Sequence, residues 1–244
     1  MQQADWFESW FGSPYYKILY QHRDEQEAQA FIENLLQYLQ PPAGCRVVDI
    51  ACGDGRYAVQ LAEHNYEVTG IDLSHLSIEH AKANETDNLH FFVHDMRFPF
   101  YINYFDYAFN FFTSFGYFAH DRDHLMAAKA FAAGLKKGGT LVVDYLNREQ
   151  VIANLVSSAT VVRGSYTFNI TKRLERNHII KDINFLDADN KPRHYCESVA
   201  AFSLQDFEEI FQKAGLTLQA TFGDYQLNSY DAQQSPRMIM IFKK

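Results

Sequence analysis

Cysteine is scarce in this 244-residue chain, and its three residues, Cys45, Cys52 and Cys196, lie far apart in the sequence. An odd number of widely spaced cysteines argues against a disulfide framework and lacks the paired spacing of a zinc site. The ten histidines show no ligand spacing either, so we predict no metal. A chain of this length buries a large core without cross-links. We therefore expect a protein of the reducing cytoplasm.

Positive charge and long apolar runs are also in short supply. The 22 lysines and arginines against 30 aspartates and glutamates give a net charge of −8, which disfavours nonspecific binding to nucleic acid or to an anionic membrane. No apolar run approaches the ~18 residues of a membrane-spanning helix, and the first residues lack the basic and apolar regions of a secretory signal. We expect no nucleic-acid partner and no membrane partner.

What the chain does have is a short apolar run that leads into closely spaced glycines. Val47, Val48 and Ile50 predict a strand that is buried on both faces. Gly53 and Gly55 follow, where a backbone can turn tightly and leave room for a ligand. After this turn the apolar residues recur at helical spacing. Strand, glycine turn and helix open a βαβ unit whose turn holds a nucleotide-like ligand.

An acidic residue ends the next predicted strand. Asp72 comes 19 positions after Gly53, and a carboxylate there can accept hydrogen bonds from both hydroxyls of a ribose. The pattern Gly53-x-Gly55-x-x-Ala58 would also suit a dinucleotide. A nicotinamide-dependent oxidoreductase therefore stays open as an alternative.

Two more acids lie around the same turn. Asp54 is inside the turn, and Asp49 lies four positions before Gly53. A pyrophosphate would be repelled by these charges, whereas a ligand that carries an ammonium and a sulfonium would be attracted. The acids therefore favour a cationic ligand over a dinucleotide.

The chain resembles the class I S-adenosylmethionine-dependent methyltransferases in a series of ordered motifs between about residues 45 and 145. These motifs are Asp49-Ile-Ala-Cys-Gly53-Asp-Gly55, Gly70-Ile-Asp72-Leu-Ser, Val93-His-Asp95-Met, Phe105-Asp106-Tyr-Ala-Phe-Asn110 and Leu135-Lys-Lys-Gly138-Gly139-Thr-Leu-Val-Val-Asp144. One departure is Ala51, where the family usually has glycine. The resemblance implies S-adenosyl-L-methionine as the cofactor.

The resemblance also implies which residues contact that cofactor. In the family, an acid at the position of Asp95 accepts a hydrogen bond from the adenine amino group. An N-terminal helical lid, about residues 1 to 40, would bring Tyr15 or Tyr16 to the methionine end, and Arg23 is a candidate partner for the cofactor carboxylate. The expected cofactor-binding residues are Asp49, Ala51, Gly53, Gly55, Asp72, Leu73, Asp95, Met96, Asn110, Tyr16 and Arg23.

The implied fold is α/β, with a Rossmann-like, doubly wound, mostly parallel seven-stranded sheet and a small antiparallel β insertion. Ser74 and Ser203 are predicted helix caps, the latter in a capping box. A helix from Asp121 to Leu135, closed by Lys136, Lys137 and a glycine pair, is predicted to precede a strand from Thr140 to Tyr145.

Apolar residues alternate with polar ones from Tyr166 onwards, which predicts a strand. Two more strands are predicted from His178 to Leu186 and from His194 to Phe202, and the three form an antiparallel meander. We assign residues 1–160 and 203–244 to the main domain and residues 161–202 to the insertion. The insertion is expected to cover the substrate cleft or to form a dimer contact, and the protein to be a monomer or a homodimer.

Methyl transfer from a sulfonium is an in-line displacement, so the protein mainly aligns the acceptor and excludes water. Where the acceptor must lose a proton, the candidate bases are His94, Tyr117 and His120, near predicted strand ends. Methyltransferases that act on adenine or on amide nitrogens resemble one another in an (Asp/Asn)-Pro-Pro-(Tyr/Phe) tetrad at this place. The segment Asn110-Phe-Phe-Thr113 has no proline, which counts against a nucleobase or glutamine amide acceptor.

We therefore expect transfer to N or O of a small-molecule acceptor. A non-catalytic cofactor-binding protein of the same fold is a further alternative, because a fold does not guarantee activity.

Overall fold

Short apolar segments of the sequence pair into one large sheet in the computed structural model, which describes residues 6–20 and 25–244. Its strands are β1 (Arg46–Ile50), β2 (Glu67–Asp72), β3 (Leu89–Val93), β4 (Phe105–Asn110), β5 (Leu135–Leu146), β10 (Thr217–Phe222) and β11 (Arg237–Lys243). Their order is β3-β2-β1-β4-β5-β11-β10, and β11 runs antiparallel to both of its neighbours. This is the mostly parallel, seven-stranded sheet that the family resemblance implied.

Helices cover both faces of the sheet. The described α-helices are α1 (Trp6–Phe11), α2 (Pro14–Tyr20), α3 (Glu25–Leu39), α4 (Arg56–Glu63), α5 (His75–Ala81), α6 (Asp121–Gly134), α7 (Arg148–Ala153) and α8 (Leu204–Lys213). One apolar cluster packs α3, α4 and α5 on one face, and a second packs α6 and α8 on the other. Adjacent strand residues such as Val47 and Val48 belong to opposite clusters, because successive strand side chains alternate between faces.

Two predicted helix caps are confirmed. The hydroxyl oxygen of Ser74 accepts a hydrogen bond from the backbone N–H of Ser77 at 3.2 Å. Ser203 and Asp206 form the reciprocal capping box at the start of α8. Each cap satisfies backbone N–H groups that a helix leaves without partners in its first turn.

The prediction for the junction between α6 and β5 was wrong in its detail. Helix α6 ends at Gly134, and Leu135 already has extended backbone angles and pairs with Phe105 in β4. The pairing then slips before it resumes between Tyr107 and Thr140. The glycine pair therefore lies in an irregular stretch of β5 and does not close the helix.

The second sheet contains four strands, one more than predicted, and it begins at Ser158, three residues before the predicted start of the insertion. They are β6 (Ser158–Arg163), β7 (Tyr166–Glu175), β8 (His178–Leu186) and β9 (Pro192–Ala200), in that order across an antiparallel sheet. Strand β6 was missed because it is an edge strand with mostly exposed residues, so its sequence has little apolar alternation. Helix α7 before it was not anticipated either.

Helices α1 and α2 lie against the insertion. Trp10 and Leu19 share an apolar cluster with Phe168, Ile183 and Phe185, all of which are buried. The indole N–H of Trp10 donates a hydrogen bond to the carboxylate of Glu197 in β9 at 2.7 Å. The N-terminal segment thus forms one wall with the insertion, while α3 packs beside α4 elsewhere. No described helix is both long and apolar enough to cross a membrane.

Histidine 124 in α6 is buried among aromatic rings. Its ring centroid lies 5.5 Å from that of Phe115, 5.2 Å from that of Phe118 and 5.0 Å from that of Phe202. Burial disfavours the charged imidazolium and lowers the pKa of His124 from 6.5 to about 4. The folded protein therefore holds this histidine neutral at pH values where the unfolded chain would protonate it.

This burial predicts an acid-dependent loss of stability. The unfolded state binds the extra proton first, so the free energy of unfolding falls as the pH drops from 6.5 towards 4. His124→Phe removes the titrating group and should abolish about 3 kcal/mol of that loss. Urea denaturation of both proteins at pH 7.5, 6 and 4.5 measures it, and parallel pH profiles would contradict the assignment.

Candidate active site

A cavity of about 660 Å³ lies between the carboxyl ends of the central strands and the wall formed by α1, α2 and the insertion. Its floor includes the turn after β1 and the ends of β2 and β3. Its roof includes residues of β7, β8 and β9. In open α/β sheets this edge is where ligands bind.

The turn between β1 and α4 has a left-handed backbone at three positions. The φ angles are +61° at Ala51, +57° at Gly53 and +85° at Gly55. A Cβ atom on Gly53 would meet nothing within 4 Å, whereas one on Gly55 would lie 2.5 Å from Cζ of the buried Phe91. Gly53 therefore leaves space on the cavity wall, while Gly55 allows the turn to pack against β3.

Asp72 at the end of β2 holds this turn in place. Its carboxylate accepts the backbone N–H of Gly53 at 2.8 Å and that of Ser74 at 2.8 Å. Burial raises the pKa of Asp72 because it disfavours the charged form, and the two N–H groups oppose that rise. The side chain also lines the cavity, so it both supports the turn and faces the cavity.

Asp49 in β1 is a buried carboxyl group on the cavity wall, with 1% of its surface exposed. Among the described residues, its Oδ2 atom has no hydrogen-bond partner. Burial, and secondarily the nearby Asp72, raise the pKa of Asp49 to about 8. Such a group is stabilised in its ionised form by a cation.

Asp95 lies after β3 and is held by Arg97. The Nε atom of Arg97 donates to Oδ2 of Asp95 at 2.9 Å, and its Nη2 atom donates to the same oxygen at 2.6 Å. Burial works to raise the pKa of Asp95, but the hydrogen bonds from Arg97 outweigh it and the net shift is downward. Asp95 is therefore a fixed anion on the cavity wall.

The segment after β4 forms a strained side wall. Phe112 and Thr113 have φ angles of +55° and +59°, which are unfavourable for these residues. Asp144, fully buried in β5, accepts the backbone N–H of Phe112 at 2.9 Å and the Nε–H of Arg237 at 2.8 Å. Arg237 also donates to the hydroxyl of Thr113 at 3.1 Å. These contacts offset the strain.

The roof carries a polar cluster around Glu197. Besides Trp10, its carboxylate accepts a hydrogen bond from the hydroxyl of Tyr20 at 2.8 Å and lies 3.5 Å from the ammonium of Lys181. Lys181 also contacts the hydroxyl of Tyr20. Lys172 in β7 lines the cavity beside them.

Most of the predicted site residues meet at the cavity wall. Those that line it are Tyr16, Asp49, Ala51, Gly53, Asp72, Leu73, His94, Asp95, Met96 and Tyr117. Gly55 and Asn110 lie behind the wall, and the side chain of Asn110 donates to the carbonyl of Ile50 at 2.9 Å. Arg23 lies outside the described residues.

The candidate bases occupy different environments. His120 is exposed at the start of α6 and does not line the cavity. The Nε2 atom of His94 is 2.8 Å from the carbonyl oxygen of Phe98, which fixes that nitrogen as a donor. The ring of Tyr117 packs against Trp6 and Phe11. Within residues 6–20 and 25–244, no group of three His, Cys, Asp or Glu side chains is arranged to hold a metal ion.

The sequence interpretation missed the cavity residues of the insertion and of β11, namely Lys172, Lys181, Glu197 and Arg237. The alternation of β8 already placed Ile179 and Lys181 on one face. The residues opposite Lys181 on the neighbouring strands depend on the strand register, which a local sequence pattern does not determine.

Comparison with known proteins identifies the fold and the family. Residues 20–221 match the family described as a methyltransferase domain. The Bacillus subtilis protein YqeM, whose assignment as a methyltransferase is provisional, is 26% identical over 216 residues, which are 83% of this chain and 85% of YqeM.

A second relative has a defined substrate. The dTDP-3-amino-3,4,6-trideoxy-α-D-glucopyranose N,N-dimethyltransferase of Streptomyces venezuelae is 27% identical over 186 residues, which are 73% of this chain and 78% of that enzyme.

Solved structures show the same fold. An S-adenosylmethionine-dependent methyltransferase from Clostridium acetobutylicum aligns with a TM-score of 0.79 at 17% identity, over 94% of this chain and 95% of that chain. CalS10, an amino pentose methyltransferase from Micromonospora echinaspora with bound S-adenosylmethionine, aligns with a TM-score of 0.70 at 17% identity, over 95% and 97%.

The different surroundings of Gly53 and Gly55 give a stability prediction. Both Gly53→Ala and Gly55→Ala place a side chain at positive φ, at a similar cost of about 1–2 kcal/mol. Gly55→Ala also overlaps Phe91, so it should destabilise by roughly 1–3 kcal/mol more. Urea denaturation measures both variants, and Phe91→Leu should shrink the difference. Equal losses in the two variants would refute the packing role of Gly55.

Proposed function

We propose, since the chain belongs to the methyltransferase-domain family and to its class I S-adenosylmethionine-dependent members, that it transfers a methyl group from S-adenosyl-L-methionine to N or O of a small-molecule acceptor. The observation that carries this proposal is the convergence of Asp49, Asp72 and Asp95 on one cavity, beside the open turn at Gly53. Acids from three successive strands face the place where a cationic ligand would lie.

The residues present fit that cofactor. The buried Asp49, with an oxygen that has no partner in the described part of the chain, suits an ammonium group. Asp72 suits the ribose hydroxyls, and Asp95 would accept a hydrogen bond from the adenine amino group. Of the two cations that line the cavity at the glycine turn, Lys17 and Arg56, Lys17 is already paired with Asp54 at 2.8 Å, and Asp54 itself would repel a pyrophosphate. The cavity therefore supports the nicotinamide alternative less well.

When bound, S-adenosyl-L-methionine supplies a methyl group that is already activated by its positive sulfur. The chain has to hold the acceptor in line and keep water away. The aromatic side chains of Phe7, Phe11, Tyr117 and Phe118 line the cavity and reduce its contact with solvent. An amine acceptor that arrives neutral needs no base before the transfer, so His94 and Tyr117 are proposed as positioning groups at most.

The comparisons favour nitrogen as the acceptor atom. The Streptomyces venezuelae relative is an N,N-dimethyltransferase of an amino sugar, and CalS10 methylates an amino pentose. These proteins support a small acceptor for this chain, and we propose that the insertion covers the cleft in which it binds.

Calorimetric titration with S-adenosylmethionine, S-adenosylhomocysteine and NADH tests the cofactor. We expect micromolar binding of the first two and none of NADH. Gly53→Val should abolish that binding because its side chain fills the open wall of the cavity. Gly164→Val is the matched control, because Gly164 has nearly the same φ angle, +56°, and open space around it in the turn between β6 and β7.

Binding of NADH alone would restore the oxidoreductase alternative. Cofactor binding without methyl consumption across a broad panel of amines and alcohols would favour the non-catalytic alternative. A folded Gly53→Val protein with unchanged affinity would show that the cofactor lies elsewhere.

Asp49 gives a second, pH-dependent prediction. Its pKa of about 8 leaves it mostly protonated at pH 7, and pairing with the ligand ammonium should drive off about one proton. Calorimetry in buffers of different ionisation enthalpy measures this release. Asp49→Asn should release none and should bind about tenfold more weakly, while Asp54→Asn should behave like the wild type in proton release.

Asp49→Asn should weaken ligand binding but increase the free energy of unfolding. In the wild type the folded state keeps the Asp49 proton longer than the unfolded state, so stability falls as the pH rises from 3.8 to about 8. Asp49→Asn lacks this loss and should gain stability relative to the wild type over that range.

For the calorimetric test, a wild-type protein that releases no proton on binding would contradict the role of Asp49.

A further inference from the structure

Two lysines of the insertion stand directly opposite each other on adjacent strands. The register of β7 and β8 pairs Lys172 with Lys181, and both side chains line the cavity. Directly opposed residues of an antiparallel pair have Cβ atoms about 5 Å apart, and like charges there are unfavourable. A chain of net charge −8 thus places two cations together on the roof of its cavity.

Glu197 does not neutralise both of them. It is the residue opposite Lys181 on β9 and lies 3.5 Å from its ammonium. It already accepts hydrogen bonds from Trp10 and Tyr20. Lys172 lies on the far side of Lys181, and its ammonium makes no hydrogen bond or ion pair with the described residues.

The floor and the roof of the cavity carry different ionisable groups. The floor has the carboxyl groups of Asp49, Asp72 and Asp95, of which Asp95 is paired with Arg97, whereas the roof row of Lys172, Lys181 and Glu197 has an excess of one positive charge. On the floor side, Lys17 is already paired with Asp54 at 2.8 Å. A cationic cofactor on the floor leaves the roof cations to face whatever second molecule enters the cavity.

We propose that Lys172, supported by Lys181, binds an anionic group of the methyl acceptor, so that the acceptor is a small molecule bearing a carboxylate or a phosphate. This inference rests on the proposed function, since it names the acceptor class of the same site. The lysines bind the acceptor away from its reacting atom and orient that atom towards the floor. Attraction between the anionic acceptor and the cationic cofactor adds to this orientation.

Calorimetry on the full chain saturated with S-adenosylhomocysteine tests the subsite, with inorganic pyrophosphate and succinate as separate probes at low salt. We expect at least one probe to bind, with tighter pyrophosphate binding indicating a phosphorylated acceptor and tighter succinate binding a carboxylate. Lys172→Met should weaken that binding about tenfold, and Lys172→Arg should retain it. Lys191→Met is the matched control, because it removes the same charge from an exposed turn of the insertion.

The affinity for S-adenosylhomocysteine, measured first on each variant, separates this inference from the proposed function. If it binds and neither anion does, or if Lys172→Met binds anions as the wild type does, the subsite is refuted. A Lys172→Met protein that loses S-adenosylhomocysteine and the anion equally would overturn it too, because Lys172 would then serve the cofactor carboxylate. If S-adenosylhomocysteine fails to bind the wild type, the proposed function falls. Titrating the anions in the absence of S-adenosylhomocysteine, into the wild type and Lys172→Met, still tests whether Lys172 binds them.

Discussion

The left-handed turn after β1 is the constraint on which the cavity depends. L-residues avoid this backbone region, yet Ala51, Gly53 and Gly55 all adopt it within five positions. Two contacts fix the turn from β2 and β3: the Asp72 carboxylate accepts the Gly53 N–H, and the Phe91 ring fills the space beside Gly55. The three parallel strands therefore present their carboxyl ends around one opening.

The floor and the roof of this opening differ in the environment of their charged groups. On the floor, Asp49 is held in an apolar setting where ionisation is unfavourable without a cation nearby. That arrangement costs stability, which is a common signature of a site organised for binding. On the roof, the polar row of the insertion continues directly into the apolar cluster around Trp10 and Phe168. The second sheet therefore packs against α1 and α2 through its apolar residues and lines the cavity with its polar residues.

The sequence alone predicted the parts of the structure that local chemistry determines. The turn at Gly53 and the caps at Ser74 and Ser203 follow from short patterns. It did not reveal β6, whose exposed residues carry no period. It also missed the opposition of Lys172 to Lys181, because register across a sheet joins residues that are distant in the chain.

The side wall and the roof of the cavity depend on such distant contacts. The positive φ angles of Phe112 and Thr113 persist because Asp144 and Arg237, from β5 and β11, bind that segment. The roof comes from strands between residues 166 and 200, whereas the floor comes from residues 49 to 96. The floor motifs that identify a methyltransferase therefore say little about its acceptor. In the proposed arrangement, substitutions on the insertion change the acceptor while the turn at Gly53 stays intact.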